Sequence, residues 1–177
     1  AGVHFSLPIT GTFNAINALA ATKLAAAFQI SLSTSATALA HLPTVRGRVE
    51  LINAGQNFSV VDYAHTPDGL REVIASARAI CTGRVIVVFG CGGDRDKTKR
   101  PIMAAAAAGL SDKVILTSDN PRTEDPEEIL REMEAGLNTA AKRKTITIAD
   151  RKEAIAAGMN DFLSKPIALN ALTKALE

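Results

Sequence analysis

From about residue 57 to residue 149, short β-branched runs alternate with longer helix-like segments. FSVVDYA, RVIVVFGC, KVILTS and TITIA are each bounded by turn residues and read as strands. Thr66-Pro67-Asp68 opens a helix with apolar positions at Leu70, Val73, Ile74, Ala77 and Ile80 and a stop at Gly83. Asp125-Pro126-Glu127-Glu128 opens another and places carboxylates at the positive end of its dipole. Strands alternating with helices predict parallel β-α-β crossovers. The expected fold class is therefore α/β: a doubly wound, mostly parallel sheet with flanking helices. A short helical segment precedes it, one helix over FNAINALAATKLAAAFQ (13–29) and a shorter one over Ser35 to Leu42, followed by the basic turn TVRGRVE.

Composition narrows the partners. At 177 residues, with 47% hydrophobic and 21% charged residues, the chain suits one sizeable domain with a small appendage, and disorder is not expected. A formal charge of +2, with Lys and Arg scattered outside residues 94–100 and 142–144, argues against nucleic acid. Cys81 and Cys91 fit neither metal-ligand spacing nor a disulfide framework, which points to the cytoplasm. The alanine-rich stretch from Ala15 to Ile30 is interrupted by Asn17, Thr22, Lys23 and Gln29 and follows no basic leader, so a packed helix is expected and no membrane partner. The opening AGVHFSLPITG has no initiator methionine and an apolar strand under way, and reads as the middle of a larger protein.

In an open parallel sheet, ligands sit at the carboxyl ends of the strands. Three charged constellations fall there: Asp62-Tyr63-Ala64-His65, the loop Gly90 to Arg100, and Asp119-Asn120-Pro121-Arg122. The second packs six charged residues into the seven from Asp94 to Arg100. Its glycines let the backbone approach a ligand. Pro101 begins the helix IMAAAAAGL, whose N-terminus adds partial positive charge to Arg95, Lys97, Lys99 and Arg100. That loop is expected to hold an anion, against the plainer reading that its charges merely solvate a turn. In the third constellation an arginine fork suits a carboxylate, while Asp119 and Asn120 suit an ammonium group. Together they fit an amino acid, the alternative being an Asx-Pro turn with a solvated arginine.

LPITGTFNAINALAA, VRGRVE, VVDYAHTPDGL, VFGCGGDRDKTKRP and SDNPRTEDP, in that order over roughly residues 4 to 155, resemble the Mur ligases of bacterial cell-wall synthesis. The likeness is to the C-terminal domain of the members that add the third stem-peptide residue, of the meso-diaminopimelate-adding type. The resemblance implies a Rossmann-like fold, ATP and magnesium as cofactors, and meso-diaminopimelate and a UDP-muramoyl peptide as partners. In that reaction ATP phosphorylates the peptide carboxylate and the amine attacks the acyl phosphate. Residue by residue, it assigns Asn14, Asn17, Arg48, Asp62 and His65 to the nucleotide, and Arg95, Asp119, Asn120 and Arg122 to the amino acid. Arg46 stands where the family has proline. The sequence contains no GxxxxGK[ST] phosphate loop and no Gly-Lys-Gly-His-Glu block after Asp150-Arg151, so no catalytic residue is nominated and the chain alone is expected to be inactive.

The last residues, AGMNDFLSKPIALNALTKALE, resemble instead the final strand and helix of a response-regulator receiver domain. The expected organisation is a helical remnant of the ligase central domain (1–45), the amino-acid-binding domain (46–155) and a receiver-like strand and helix completing the sheet (156–177). A monomer is expected. Three functions follow: a ligase fragment that retains its amino-acid site, a phosphoacceptor module in which Lys165 faces Asp119, or a structural chimera without activity.

Overall fold

The structure, a computed structural model, describes residues 3–9, 11–43, 45–54 and 57–149. The receiver-like tail and Lys165 lie outside these residues. Two compact units are present, one running to Ile52 and including Ser59–Tyr63, the other comprising Asn53–Phe58 and the chain from Ala64 onward.

In the first unit, helix α1 (Thr12–Ala27) packs against α2 (Leu32–Ala40). Ser31 caps α2 by accepting the Thr34 amide at 3.1 Å. Helix α1 forms through the propensity of its alanines and leucines rather than through burial, since Ile16, Leu19, Leu24 and Phe28 all remain exposed. The apolar strand expected in the opening residues is absent: residues 3–9 belong to no helix or strand.

The run FSVVDYA departs from expectation more usefully. Its core forms β2 (Asn57–Val61), which pairs with a strand the sequence pattern did not announce, β1 (Glu50–Ala54), in a two-stranded sheet. Only two residues separate the strands, so the nearest available partner was a local one.

The second unit carries the predicted parallel sheet, in the order β3 (Ile86–Phe89), β4 (Lys113–Thr117), β5 (Thr145–Ile148). Val87 and Phe89 lie beside Val114 and Leu116, so one face of β3 and β4 is apolar, and Thr145 and Thr147 of β5 continue it with hydroxyls that donate to the Ala141 carbonyl and to Glu134. Helix α3 (Pro67–Ile80) begins as predicted, with Thr66 Oγ1 accepting the Gly69 amide at 3.2 Å, and buries Leu70 and Ile74. Helix α4 (Lys99–Leu110) packs between α3 and α5 (Pro126–Glu134). It starts two residues before Pro101, directly after a turn in which Asp96 Oδ1 accepts the Thr98 amide at 2.9 Å. Asp125 caps α5 through the Glu127 amide at 3.0 Å, and a short α6 (Thr139–Lys142) precedes β5.

The core joins these elements: Met103, Ala104 and Ala107 of α4, Ile129 and Met133 of α5, and Val114 and Leu116 of β4. Small alanines let α4 lie close to the sheet, and Gly136 lets the start of α4 approach, since a Cβ there would lie 2.0 Å from the Pro101 carbonyl oxygen. Removing Leu116, fully buried, should therefore cost about 2–5 kcal/mol as Leu116→Ala. Ile86→Ala, on the opposite face and 50% exposed, should cost less than about 1 kcal/mol, and urea denaturation of both variants checks the contrast.

Candidate functional site

The loops after β3 and β4 lie against each other at the carboxyl ends of the sheet. Two glycines make this possible: a Cβ on Gly90 would lie 2.3 Å from the Thr117 carbonyl oxygen, and one on Gly93 1.8 Å from that of Pro121. In that space the Gly93 amide donates to the Asn120 carbonyl at 2.9 Å, and Arg122 Nη1 donates to the Gly93 carbonyl at 2.7 Å. The next residue on each side of this contact is strained. Asp94 and Arg122 both have φ of +52°, a left-handed conformation rarely taken by residues with a side chain. Each is braced: the Asp94 carboxylate accepts Thr123 Oγ1 at 2.6 Å, and Asn120 Oδ1 accepts the Arg122 amide at 3.2 Å.

Beneath the loops lies a cluster of four charges. Arg100, with no solvent exposure, grips Glu124 in a bidentate pair (Nη1 to Oε2 and Nη2 to Oε1, both 2.9 Å). It also donates to Glu132 Oε2 at 2.6 Å and to the Gly92 carbonyl at 3.1 Å. Lys97 Nζ meets Glu124 Oε2 at 2.9 Å, and the Asp94 amide donates to Glu124 Oε1 at 2.6 Å. Hydrogen bonds from Arg100, then Lys97, then the Asp94 amide hold the Glu124 carboxyl far below the ordinary carboxylate range. The same pairings raise Arg100 and Lys97.

Of the four basic residues expected to face an anion, Arg100 and Lys97 pair with carboxylates of the chain itself, and Lys99 Nζ donates to the His65 carbonyl at 2.8 Å. Arg95 is exposed and has no hydrogen-bond or ion-pair partner among the described residues. Glu124 and Glu132 are the anions inside the cluster.

The residues assigned to the amino acid gather in this region: Arg95 after the strained Asp94, and Asp119, Asn120 and Arg122 on the facing loop. The residues assigned to the nucleotide divide between the two units. Asn14 and Asn17 share one face of α1 by their i, i+3 spacing. Arg48 lies over the Tyr63 ring, 5.5 Å from its centroid, and Asp62 Oδ2 accepts the Val49 amide at 2.9 Å. Gly47, with φ of +67°, makes room for Tyr63, whose ring would lie 2.5 Å from a Cβ there. All four belong to the first unit and His65 to the second. Sequence reading missed Asp94, Thr123, Glu124 and Glu132 as determinants of the site. Glu124 stands inside SDNPRTEDP, where only the helix start was read from the neighbouring acids.

The parallel sheet with flanking helices and its joined strand-end loops define a Rossmann-like α/β domain. The family model described as "Mur ligase, glutamate ligase domain" matches residues 47–166, and the chain belongs to that family. UDP-N-acetylmuramoyl-L-alanyl-D-glutamate--2,6-diaminopimelate ligase of Geobacillus thermodenitrificans is 52% identical over 148 residues, which is 83% of this chain and 30% of that protein. The ligase of the same name from Bacteroides fragilis is 49% identical over 155 residues, 86% of this chain and 32% of that one. A solved structure of such a ligase superposes with a TM-score of 0.60 at 40% identity, covering 88% of this chain and 32% of the other. A Mycobacterium tuberculosis folylpolyglutamate synthase complexed with ADP and AMPPCP shares the fold at 24% identity (TM-score 0.66; 86% of this chain, 34% of the other). The chain spans about a third of the length of these relatives. Among the described residues no helix is long and apolar enough to cross a membrane.

Because the folded state holds Glu124 ionised, its contribution to stability is present above the ordinary carboxylate range and is lost as pH falls below it. The chain should lose stability on acidification to about pH 3, and Glu124→Gln should flatten that dependence. Arg100→Leu should destabilise by about 1–3 kcal/mol at neutral pH, because it takes the bidentate partner from the half-buried Glu124 and leaves it and Glu132 with Lys97 as their one cationic partner among the described residues. Urea midpoints measured across pH test both.

Proposed function

We propose that this chain carries the acceptor amino-acid site of a diaminopimelate-adding Mur ligase. The observation that carries the reading is the braced arginine: Arg122 is anchored through one nitrogen on the Gly93 carbonyl, beside the loop that presents Arg95. Two guanidinium groups on joined loops suit a carboxylate, and Asp119 and Asn120 supply acceptors for an ammonium group. The names of the relatives supply the substrate class: 2,6-diaminopimelate, joined to UDP-N-acetylmuramoyl-L-alanyl-D-glutamate.

ATP fits in part. Arg48 and the exposed Tyr63 ring form a flat platform suited to a nucleobase, with Asp62, Asn14 and Asn17 as the further residues of the same unit that would hold the nucleoside. For the triphosphate the sequence offers no GxxxxGK[ST] loop, and among the described residues no three of His, Cys, Asp or Glu gather. The proposed role of the chain is therefore binding and orientation of the amino acid, without phosphoryl transfer of its own.

Given ATP, magnesium, a UDP-muramoyl dipeptide and diaminopimelate, the chain should release no phosphate above background. In NMR titrations diaminopimelate should shift resonances of Arg95, Asn120 and Arg122 with about millimolar affinity, and Arg95→Ala or Arg122→Ala should each abolish the shifts. The reading fails if these resonances do not move at about 20 mM ligand with the fold intact.

A further inference from the structure

The Thr123-Glu124 step holds Asp94 from two sides. Glu124 Oε1 accepts the Asp94 amide at 2.6 Å, and Thr123 Oγ1 donates to the Asp94 carboxylate at 2.6 Å. Asp94 is thereby kept in its left-handed conformation, with φ of +52°. Glu124 can serve as a fixed post because Arg100 and Lys97 grip its two oxygens and its side chain is only 14% exposed. Asp94 adjoins Gly93, so clamping Asp94 sets where the Gly93 carbonyl points. That carbonyl receives Arg122 Nη1 at 2.7 Å. An arginine anchored through one nitrogen keeps the rest of its planar fork in a fixed direction, whereas an unanchored one sweeps through many rotamers.

We propose that Thr123 and Glu124 are positioning residues: by clamping Asp94 they fix the carbonyl that aims the Arg122 guanidinium at the carboxylate of the incoming amino acid. The proposal rests on the reading of Arg122 as a carboxylate ligand. Its logic is preorganisation, in which a side chain held in its binding geometry loses less freedom when the ligand arrives.

The Arg122 Nε–Hε resonance of the 15N-labelled chain reports the orientation without any ligand. Its heteronuclear NOE should be close to that of ordered backbone amides, while Arg95, exposed and without a partner among the described residues, should show the low value of a mobile side chain. Thr123→Val should drop the Arg122 value to that of Arg95, and Thr123→Ser should restore it. Thr123 is exposed, so Val114 and Leu116 amide shifts should stay in place and show that the core is intact. Glu124→Gln should have the same effect; were it to unfold the chain, the Thr123 pair decides alone. In a parallel titration Thr123→Val should weaken diaminopimelate binding by about three- to tenfold, again with rescue by serine. An Arg122 signal that stays ordered in Thr123→Val, or that is mobile in the unaltered chain, overturns the positioning role whatever the ligand does. If the clamp behaves as stated but diaminopimelate shifts nothing, the orienting role of Thr123 and Glu124 stands and the amino-acid reading alone fails.

Discussion

The bidentate pair between Arg100 and Glu124 is the contact on which the strand-end region depends. Arg100 belongs to the first turn of α4 and Glu124 to the approach to α5, so one ion pair ties the starts of two helices beneath the loops that they follow. A guanidinium without solvent exposure is tolerable only if its charge is matched, and here two carboxylates and a backbone carbonyl match it. The arrangement explains why so many charges crowd into Asp94 to Arg100. Several of them build the loop and stand out of a ligand's reach.

Around that pair, backbone geometry and side-chain chemistry reinforce each other. Gly90 and Gly93 remove the Cβ atoms that would hold the loops apart, and the space so gained is filled by direct contacts between Gly93, Asn120 and Arg122. The strain at Asp94 and Arg122 persists because several hydrogen bonds over-determine it. Strain of this kind lies here at the carboxyl ends of a parallel sheet, the end at which open α/β folds bind their ligands.

The two units differ in how they are held. The second closes a core of Met103, Val114, Leu116, Ile129 and Met133 between its helices and one face of its sheet. On the other face Ile86 and Val88 remain exposed, which is uncommon for strands of a parallel sheet. In the first unit α1 is helical for local reasons and leaves its larger apolar residues exposed. Its ordered centre is instead the turn at Gly47 and Arg48, closed by Tyr63 and Asp62.

Much was legible from the sequence by itself: the α/β class, the caps at Thr66 and Asp125, three of the strands in their parallel sheet, and the loops that gather at the strand ends. These follow from periodicity and from hydrogen bonds within a few residues, which neighbours in sequence determine. Family membership was legible for a related reason, since ordered blocks such as GCGGDRDKTKRP and SDNPRTEDP survive as linear text. What only the tertiary structure decided is which charges turn inward. Arg100 and Arg95 look alike in sequence, yet one is sealed under the loops by a carboxylate 24 residues away and the other faces water. The strand FSVV likewise took β1 as its partner. Both outcomes depend on contacts between distant segments, and a residue's own neighbours carry no record of what the folded chain will bring against it.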